Sequence, residues 1–228
     1  MAERVAVVTG AFGALGRVTV QAAIEAGYRV AALDYAAEPS AGLAGAILVL
    51  GGVDLADPAA TEAAIGEVVD RFGRLDVLFN IAGGFIWQTL ENGDAEAWTR
   101  MHRLNLMTAL NASRVALPHL LAAGAGRIIN IGANAALRAD AGMGAYAASK
   151  AAVHRLTESL AAELKGRGVT VNAVLPSIID TPANRADMPA ADFSLWVTPA
   201  DLAAVMLFLA GNGAGAVTGA LIPVTGGL

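Results

Sequence analysis

The chain reads as one α/β domain, a doubly wound parallel sheet of about seven strands with helices on both faces. Three observations predict this. Short aliphatic and β-branched runs alternate with helix-length stretches from end to end. The strand runs are continuously hydrophobic rather than alternating, as in strands covered on both faces. The 228 residues contain no internal repeat and no linker-like stretch, so one core accommodates them.

The elements follow in order. RVAVVTG (4–10) is a strand ending in glycine, and a helix pattern runs from about Ala14 to Ala26. YRVAALD (28–34) and AILVLGGVD (46–54) are the next strands. Asp57-Pro58 opens a helix, since proline is tolerated at the first helical position, where its missing N–H costs nothing. LDVLFNIAGG (75–84) is a strand running into a loop. A long helix is expected from about Ala95 to Ala123, disturbed near Pro118. GRIINIG (126–132) is a strand, Tyr146 to Lys165 a helix, and VTVNAVLP (169–176) a strand. Thr198 to Ala210 is helical and TGALIPV (218–224) is the last strand. The expected strand order is 3-2-1-4-5-6-7.

Composition narrows the function classes. Hydrophobic residues make up 56% of the chain and mean hydropathy is +0.56. Much of that is alanine, and no apolar run reaches the roughly 18 to 20 residues of a membrane span. Glu3 and Arg4 precede only a very short apolar run, unlike a signal peptide, so a cytoplasmic protein is expected. With no cysteine there is no disulfide, thiol nucleophile or zinc-thiolate site. The net charge of −5 and the scattered basic residues argue against nucleic acid as a partner. His102, His119 and His154 lie far apart on expected helices, read as helix-surface or subunit-interface residues, and no metal site is expected.

VVTGAFGALG (7–16) places three glycines between the first strand and first helix. Glycines there let the backbone approach a pyrophosphate at the positive helix N-terminus. The spacing Gly10-x-x-Gly13-x-x-Gly16 departs from G-x-G-x-x-G, so position in the first βα crossover carries more weight than the pattern. The second strand ends in Asp34, an acid placed to accept from an adenosine ribose and to repel a 2′-phosphate. No lysine or arginine lies at 10–16 or 35–37 to reverse that, so NAD(H) is preferred over NADP(H). Asp54 and Leu55, ending the third strand, are placed to contact adenine.

Thr9-Gly10, Asn80-x-Ala82-Gly83, Asn105, Tyr146-x-x-x-Lys150 and Pro176…Thr181-Pro182 occur in this order, and with them the chain resembles the short-chain dehydrogenase/reductase family over essentially its whole length. The chain has three tyrosines and two lysines, arginine filling the other basic positions, so the Tyr/Lys pair is composed of rare residues. The resemblance implies a Rossmann fold, with Tyr146 as proton donor and Lys150 as the ammonium that lowers its pKa and reaches the nicotinamide ribose. A phenol near its ordinary pKa of about 10 is a poor catalyst at neutral pH, and a nearby cation favours the phenolate. By the same resemblance Asn105 holds a relay water. Phe12, Leu15, Asn80, Ala82 and Gly83 line the cofactor, and Pro176, Ile179 and Thr181 orient its carboxamide.

Two departures stand out. Gly13 precedes the family's middle loop glycine, whose place Ala14 takes. The serine that normally lies thirteen residues before the tyrosine is Ala133, preceded by Gly132. Loss of one oxyanion donor typically costs about 10²–10³ in rate. Both departures resemble the dihydropteridine reductase branch, as do GALG (13–16), AGG (82–84), GANAAL (132–137), GMGAY (142–146), AVH (152–154) and DTPANRADMPAADFSLW (180–196). That implies NADH-dependent reduction of a quinonoid dihydropteridine, with Phe85 and Trp87 beside a flat substrate. Ala133, Tyr146, Asn184 and Met188 complete the implied substrate pocket. Asn105 and the Ala148-Ser149-Lys150 sequence look more like the general family, leaving open a reductase of activated carbonyls, quinones or imines. An NAD-binding pseudoenzyme or scaffold is the alternative from another class. Alanine-rich faces at 106–122 and 151–164 suit close helix packing in a homodimer or homotetramer.

Overall fold

The computed structural model describes residues 3–40, 43, 45, 46 and 48–228. In the first strand, β1 (Val5–Thr9), successive side chains enter different cores: Ala6 and Val8 on one face, Val5 and Val7 on the other. This is the period of two expected of a pleated strand, and it explains why the strand runs are apolar without a break. β4 (Val77–Asn80) repeats it, with Val77 and Phe79 on the first face and Leu78 on the second.

The other strands are β2 (Arg29–Leu33), β3 (Leu48–Leu50), β5 (Gly126–Ile131), β6 (Val169–Pro176) and β7 (Leu221–Val224). They form one seven-stranded sheet in the order β3-β2-β1-β4-β5-β6-β7, all neighbours parallel, which is the expected topology. The third strand is shorter than expected; Ile47, in its expected span, lies outside the described residues. The order reverses direction between β1 and β4, and ligands of such sheets bind beyond the strand C-termini at that switch point.

Helices α1 (Ala14–Glu25) and α7 (Pro199–Ala210) cover one face. On the other lie α2 (Pro58–Phe72), α4 (Thr108–Ala122) and α5 (Gly144–Glu163), with Ala64, Ala112, Ala116 and Ala161 admitting close approach to the sheet. The Asp57 carboxylate caps α2 by accepting from the Ala59 N–H at 2.9 Å, with Pro58 as its first residue. A short α3 (Ala95–Met101) precedes α4, and α6 (Pro182–Asp187) sits in the connection between β6 and α7.

The expected long helix is interrupted, though not at Pro118, which α4 carries without a break. Residues His102–Met107 form a π-helical turn between α3 and α4. The buried Asn105 lies in this turn and contacts Gly84 in the loop after β4, Ser149 of α5 and the sulfur of Met101. Among the described residues no helix is long and apolar enough to cross a membrane.

Candidate active site

A cleft of about 2210 Å³ opens over the C-terminal ends of β1, β2, β4, β5 and β6. Sites for one drug-sized molecule are usually about 300–1,000 Å³, so this one has room for a dinucleotide and a second ligand.

Its floor at one end is the turn after β1. Gly10 has φ of +63°, and a Cβ there would lie 2.9 Å from the Ala82 backbone. A Cβ on Gly16 would overlap the Gly10 carbonyl. Glycine is therefore required at both, for backbone shape at Gly10 and for helix–turn packing at Gly16. The Thr9 hydroxyl ties this turn to the next, donating to the Phe79 carbonyl at 3.3 Å and accepting from the Ile81 and Ala82 N–H groups at 3.0 and 3.1 Å.

Asp34 stands half-buried at the end of β2. One carboxylate oxygen accepts from the Phe12 N–H at 2.8 Å and the other from the Ala36 N–H at 2.9 Å. It thereby braces the glycine turn while lining the cleft. Asp54 also lines the cleft, but one oxygen pairs with Arg103 of the π turn at 2.6 Å and the other takes the Ala56 N–H. Leu55 is 4% exposed, most of its side chain belonging to the core. Asn80 lies behind the cleft. Its amide donates to the Asn130 side chain at 2.8 Å and the Ser113 hydroxyl at 3.0 Å, and Asn130 donates on to Thr157 of α5. Asn80 thus joins β4, β5 and α5 beneath the site.

Tyr146 and Lys150 sit one turn apart on α5, both facing the cleft. Lys150 is buried, and its Nζ donates to the Ile131 carbonyl at 2.8 Å. The Tyr146 ring meets Phe85 edge-on, with centroids 5.0 Å apart. Burial acts on both groups: it pushes the Tyr146 hydroxyl up to about 12 and the Lys150 ammonium down to about 8. The expected lowering of the tyrosine is therefore not what the protein alone produces. An ammonium must lie against the phenol oxygen to outweigh desolvation, and this one is bonded to a main-chain carbonyl.

Asn105 is 1% exposed and clamps the turn after β4. Its Oδ1 accepts from the Gly84 N–H at 3.0 Å, and its Nδ2 donates to the Gly84 carbonyl at 3.1 Å and to the Ser149 hydroxyl at 2.9 Å. Ser149 donates in turn to the Tyr146 carbonyl at 2.7 Å. Asn105 thus couples the Gly83-Gly84 turn to the start of α5. Ser149 lies three residues after Tyr146, on the same side of the helix, which places its hydroxyl between Asn105 and the Tyr146 carbonyl.

Pro176, Ile179, Thr181, Asn184 and Met188 all line the cleft from the β6 end. Thr181 caps α6 through the Asn184 N–H at 3.2 Å, and the Asn184 amide donates to the Ile179 carbonyl at 2.8 Å. Asp180 forms a two-point pair with Arg185, which lies over the Phe193 ring. Trp196, at the end of the same stretch, is buried away from the opening. Across the cleft Trp87 is 61% exposed, yet its Nε1 donates to the Ala141 carbonyl at 3.1 Å and its ring lies against Gly142. The indole thus lines the cleft and at the same time packs the loop at Ala141 and Gly142.

Ala133 borders the cleft and is 2% exposed. Its N–H donates to His154 Nε2 at 3.3 Å. His154 corrects an expectation: it is buried at 2% exposure rather than at a helix surface. The 146, 150, 154 spacing, one face of one helix, is the signal that could have found it.

A parallel sheet with a glycine-rich turn after β1, an acid ending β2 and a Tyr/Lys pair beside one cleft is the arrangement of a nicotinamide-dinucleotide oxidoreductase. The family model of the short chain dehydrogenases matches residues 4–191, and the chain belongs to that family. It is 35% identical to the 2-(R)-hydroxypropyl-CoM dehydrogenase of Xanthobacter autotrophicus, covering 98% of each chain. It is 33% identical to the meso-2,3-butanediol dehydrogenase of Serratia marcescens, over 99% of this chain and 94% of that one. With the 3-oxoacyl-(acyl-carrier-protein) reductase FabG of Vibrio cholerae it shares 31% identity, over 99% and 97%. The ligand-free aldohexose dehydrogenase of Thermoplasma acidophilum superposes with a TM-score of 0.89 at 26% identity, over 99% of this chain and 94% of that one. None of these four names mentions a pteridine.

Proposed function

We propose that this enzyme is an NADH-dependent reductase of a flat, conjugated, quinone-like acceptor, with quinonoid dihydropteridine as the first candidate. The observation that carries the reading is at Ala133. It borders the cleft, has no hydroxyl, and commits its own N–H to His154. A simple ketone develops a localised oxyanion and needs a donor there. A quinonoid ring spreads the developing charge over several nitrogens and an oxygen and needs it less. Phe85, more than half exposed against Tyr146, offers a face for such a ring.

The residues fit a bound nicotinamide dinucleotide. Glycine at 10 and 16 keeps the turn open to a pyrophosphate, and the Asp34 carboxylate, fixed by two N–H groups, favours a ribose hydroxyl over a 2′-phosphate. When bound, NADH supplies a hydride. Tyr146, neutral at working pH, donates the proton that balances the two-electron reduction, giving tetrahydropteridine. Lys150 then supports the phenolate left behind, its charge held close by the Ile131 carbonyl. Asn105 keeps the Gly83-Gly84 turn and the Tyr146 end of α5 in register. Self-association through the outer sides of α4 and α5, as a homodimer or homotetramer in the cytoplasm, belongs to the same proposal.

The test is loss of NADH on adding freshly generated quinonoid dihydropteridine to the purified protein. Fast turnover, poorly supported by NADPH, is expected. The second reading, a general reductase of activated carbonyls, quinones or imines, draws support from the hydroxyl and oxoacyl compounds in the relatives' names. It predicts turnover of diketones or quinones equal to or above that of the pteridine. NADH binding without hydride transfer to any acceptor refutes both readings.

A further inference from the structure

Lys150 is one of two lysines in the chain, and its ammonium is held by one carbonyl, that of Ile131, at 2.8 Å. Ile131 is the last residue of β5. What fixes the backbone beyond it decides whether that carbonyl stays aimed at Nζ. The Gly132 N–H continues the sheet by donating to the Val174 carbonyl at 2.9 Å. The next N–H, of Ala133, leaves the sheet and donates to the His154 imidazole at 3.3 Å. His154 lies one helical turn beyond Lys150 on α5. A closed circuit results: Lys150 Nζ to the Ile131 carbonyl, along two residues to the Ala133 N–H, across to His154, and back up the helix.

We propose that His154 is a positioning residue for Lys150, acting through residues 131–133, and that Gly132 is its matched partner. Nε2 accepts a hydrogen bond, so the ring is neutral with its proton on Nδ1. Burial, then the charges of Arg155 and Lys150 on the same helix, hold its pKa down to about 4, keeping the acceptor available at working pH. From the packed elements, β5 presents its backbone and β6 the Leu175 side chain. The fit is close: a Cβ at residue 132 would stand 2.8 Å from His154 Cδ2, closer still to Nε2, and 3.1 Å from Leu175 Cδ1. With histidine in this place, residue 132 has to be glycine. Position 133, where the resemblance leads one to expect a serine, and the glycine before it are thus shaped together around one imidazole.

The inference rests on Lys150 being catalytic only for its effect on rate; its effect on the lysine itself can be read separately. With ¹³C-labelled lysine the protein gives two side-chain resonances, Lys150 and the exposed Lys165, and the pH titration of Lys150 is followed directly. His154→Leu removes the acceptor and His154→Gln retains one without a titrating ring. Gly132→Ala pushes on the imidazole from the other side and serves where the leucine variant does not fold. The Lys150 midpoint is expected to drop by about half a pH unit or more in His154→Leu and Gly132→Ala, since the charged form loses its fixed acceptor. It is expected to return toward wild type in His154→Gln. In turnover with NADH and the best acceptor, kcat is expected to fall about tenfold in the first two variants, with the KM for NADH little changed. Folded His154→Leu and Gly132→Ala proteins whose Lys150 titrates as in wild type would overturn the proposal, even if both were less stable. If the wild type reduces nothing, the catalytic reading of the pair fails, while the lysine titration still decides the role of His154.

Discussion

Replacing Tyr146 by phenylalanine removes one oxygen from the cleft and little else. The edge-on contact with Phe85, at 5.0 Å between centroids, uses the ring rather than the hydroxyl and survives the change. With its pKa pushed up to about 12, the phenol is ionised in only about one molecule in 10⁵ at pH 7. The tyrosine therefore carries its proton at neutral pH, the form that the proposed donor role needs. Lys150, pulled down to about 8, keeps its charge below that pH and loses it as pH rises through it. Wild-type reduction, followed as initial rates of NADH loss, is thus expected to be level from about pH 6 to 7, to fall to about half near pH 8 and to keep falling above it. Tyr146→Phe is expected to cost about 10²–10⁴ in kcat, with substrate binding nearly unchanged. Near-wild-type turnover in the folded variant would refute the proton-donor role. A wild-type rate that climbs from pH 6 to 8 would refute the protonation argument, since the phenolate would then be the working form.

Three further outcomes follow from the geometry. Gly10→Ala forces a non-glycine residue to φ of +63° with its Cβ against Ala82, so stability should fall by at least about 1–2 kcal/mol and NADH affinity with it, read by thermal melting and by fluorescence titration. Unchanged melting and affinity would contradict the described turn. Ala133→Ser restores a hydroxyl at the cleft wall and should raise the rate on a simple ketone by up to about 10² while moving pteridine turnover little; equal gains on both would remove the argument from charge delocalisation. Arg74→Ala leaves the Asp76 carboxylate, 2% exposed, with the Val5 N–H but without its two guanidinium bonds, and urea unfolding should show a loss of about 3 kcal/mol. A loss under about 1 kcal/mol would mean that water reaches the carboxylate in the guanidinium's place.

Much of this enzyme is legible in the chain because it is local or periodic. The unbroken aliphatic runs announce two-sided strands, Asp57-Pro58 announces a helix start, and the glycines at 10 and 16 announce a turn too crowded for a Cβ. Tyr146 and Lys150 are four residues apart on one helix, so their adjacency needs no tertiary information. Tertiary contacts decided the rest. Asn105 lies in a π turn that its sequence does not announce, and its partners Gly84 and Ser149 are 21 and 44 residues away. Asn80 reads as a cofactor residue in the chain but is drawn into a buried network by Ser113 and Asn130. His154 looks like any polar helical residue until β5 is laid against α5 and the Ala133 N–H needs an acceptor. The ionisation of Tyr146 and Lys150 belongs to the same class, for burial sets it and burial is a property of the assembled fold. Sequence determines which groups the chain carries and how they repeat. Which of them are desolvated, and which distant backbone group each must satisfy, is decided only when the layers close.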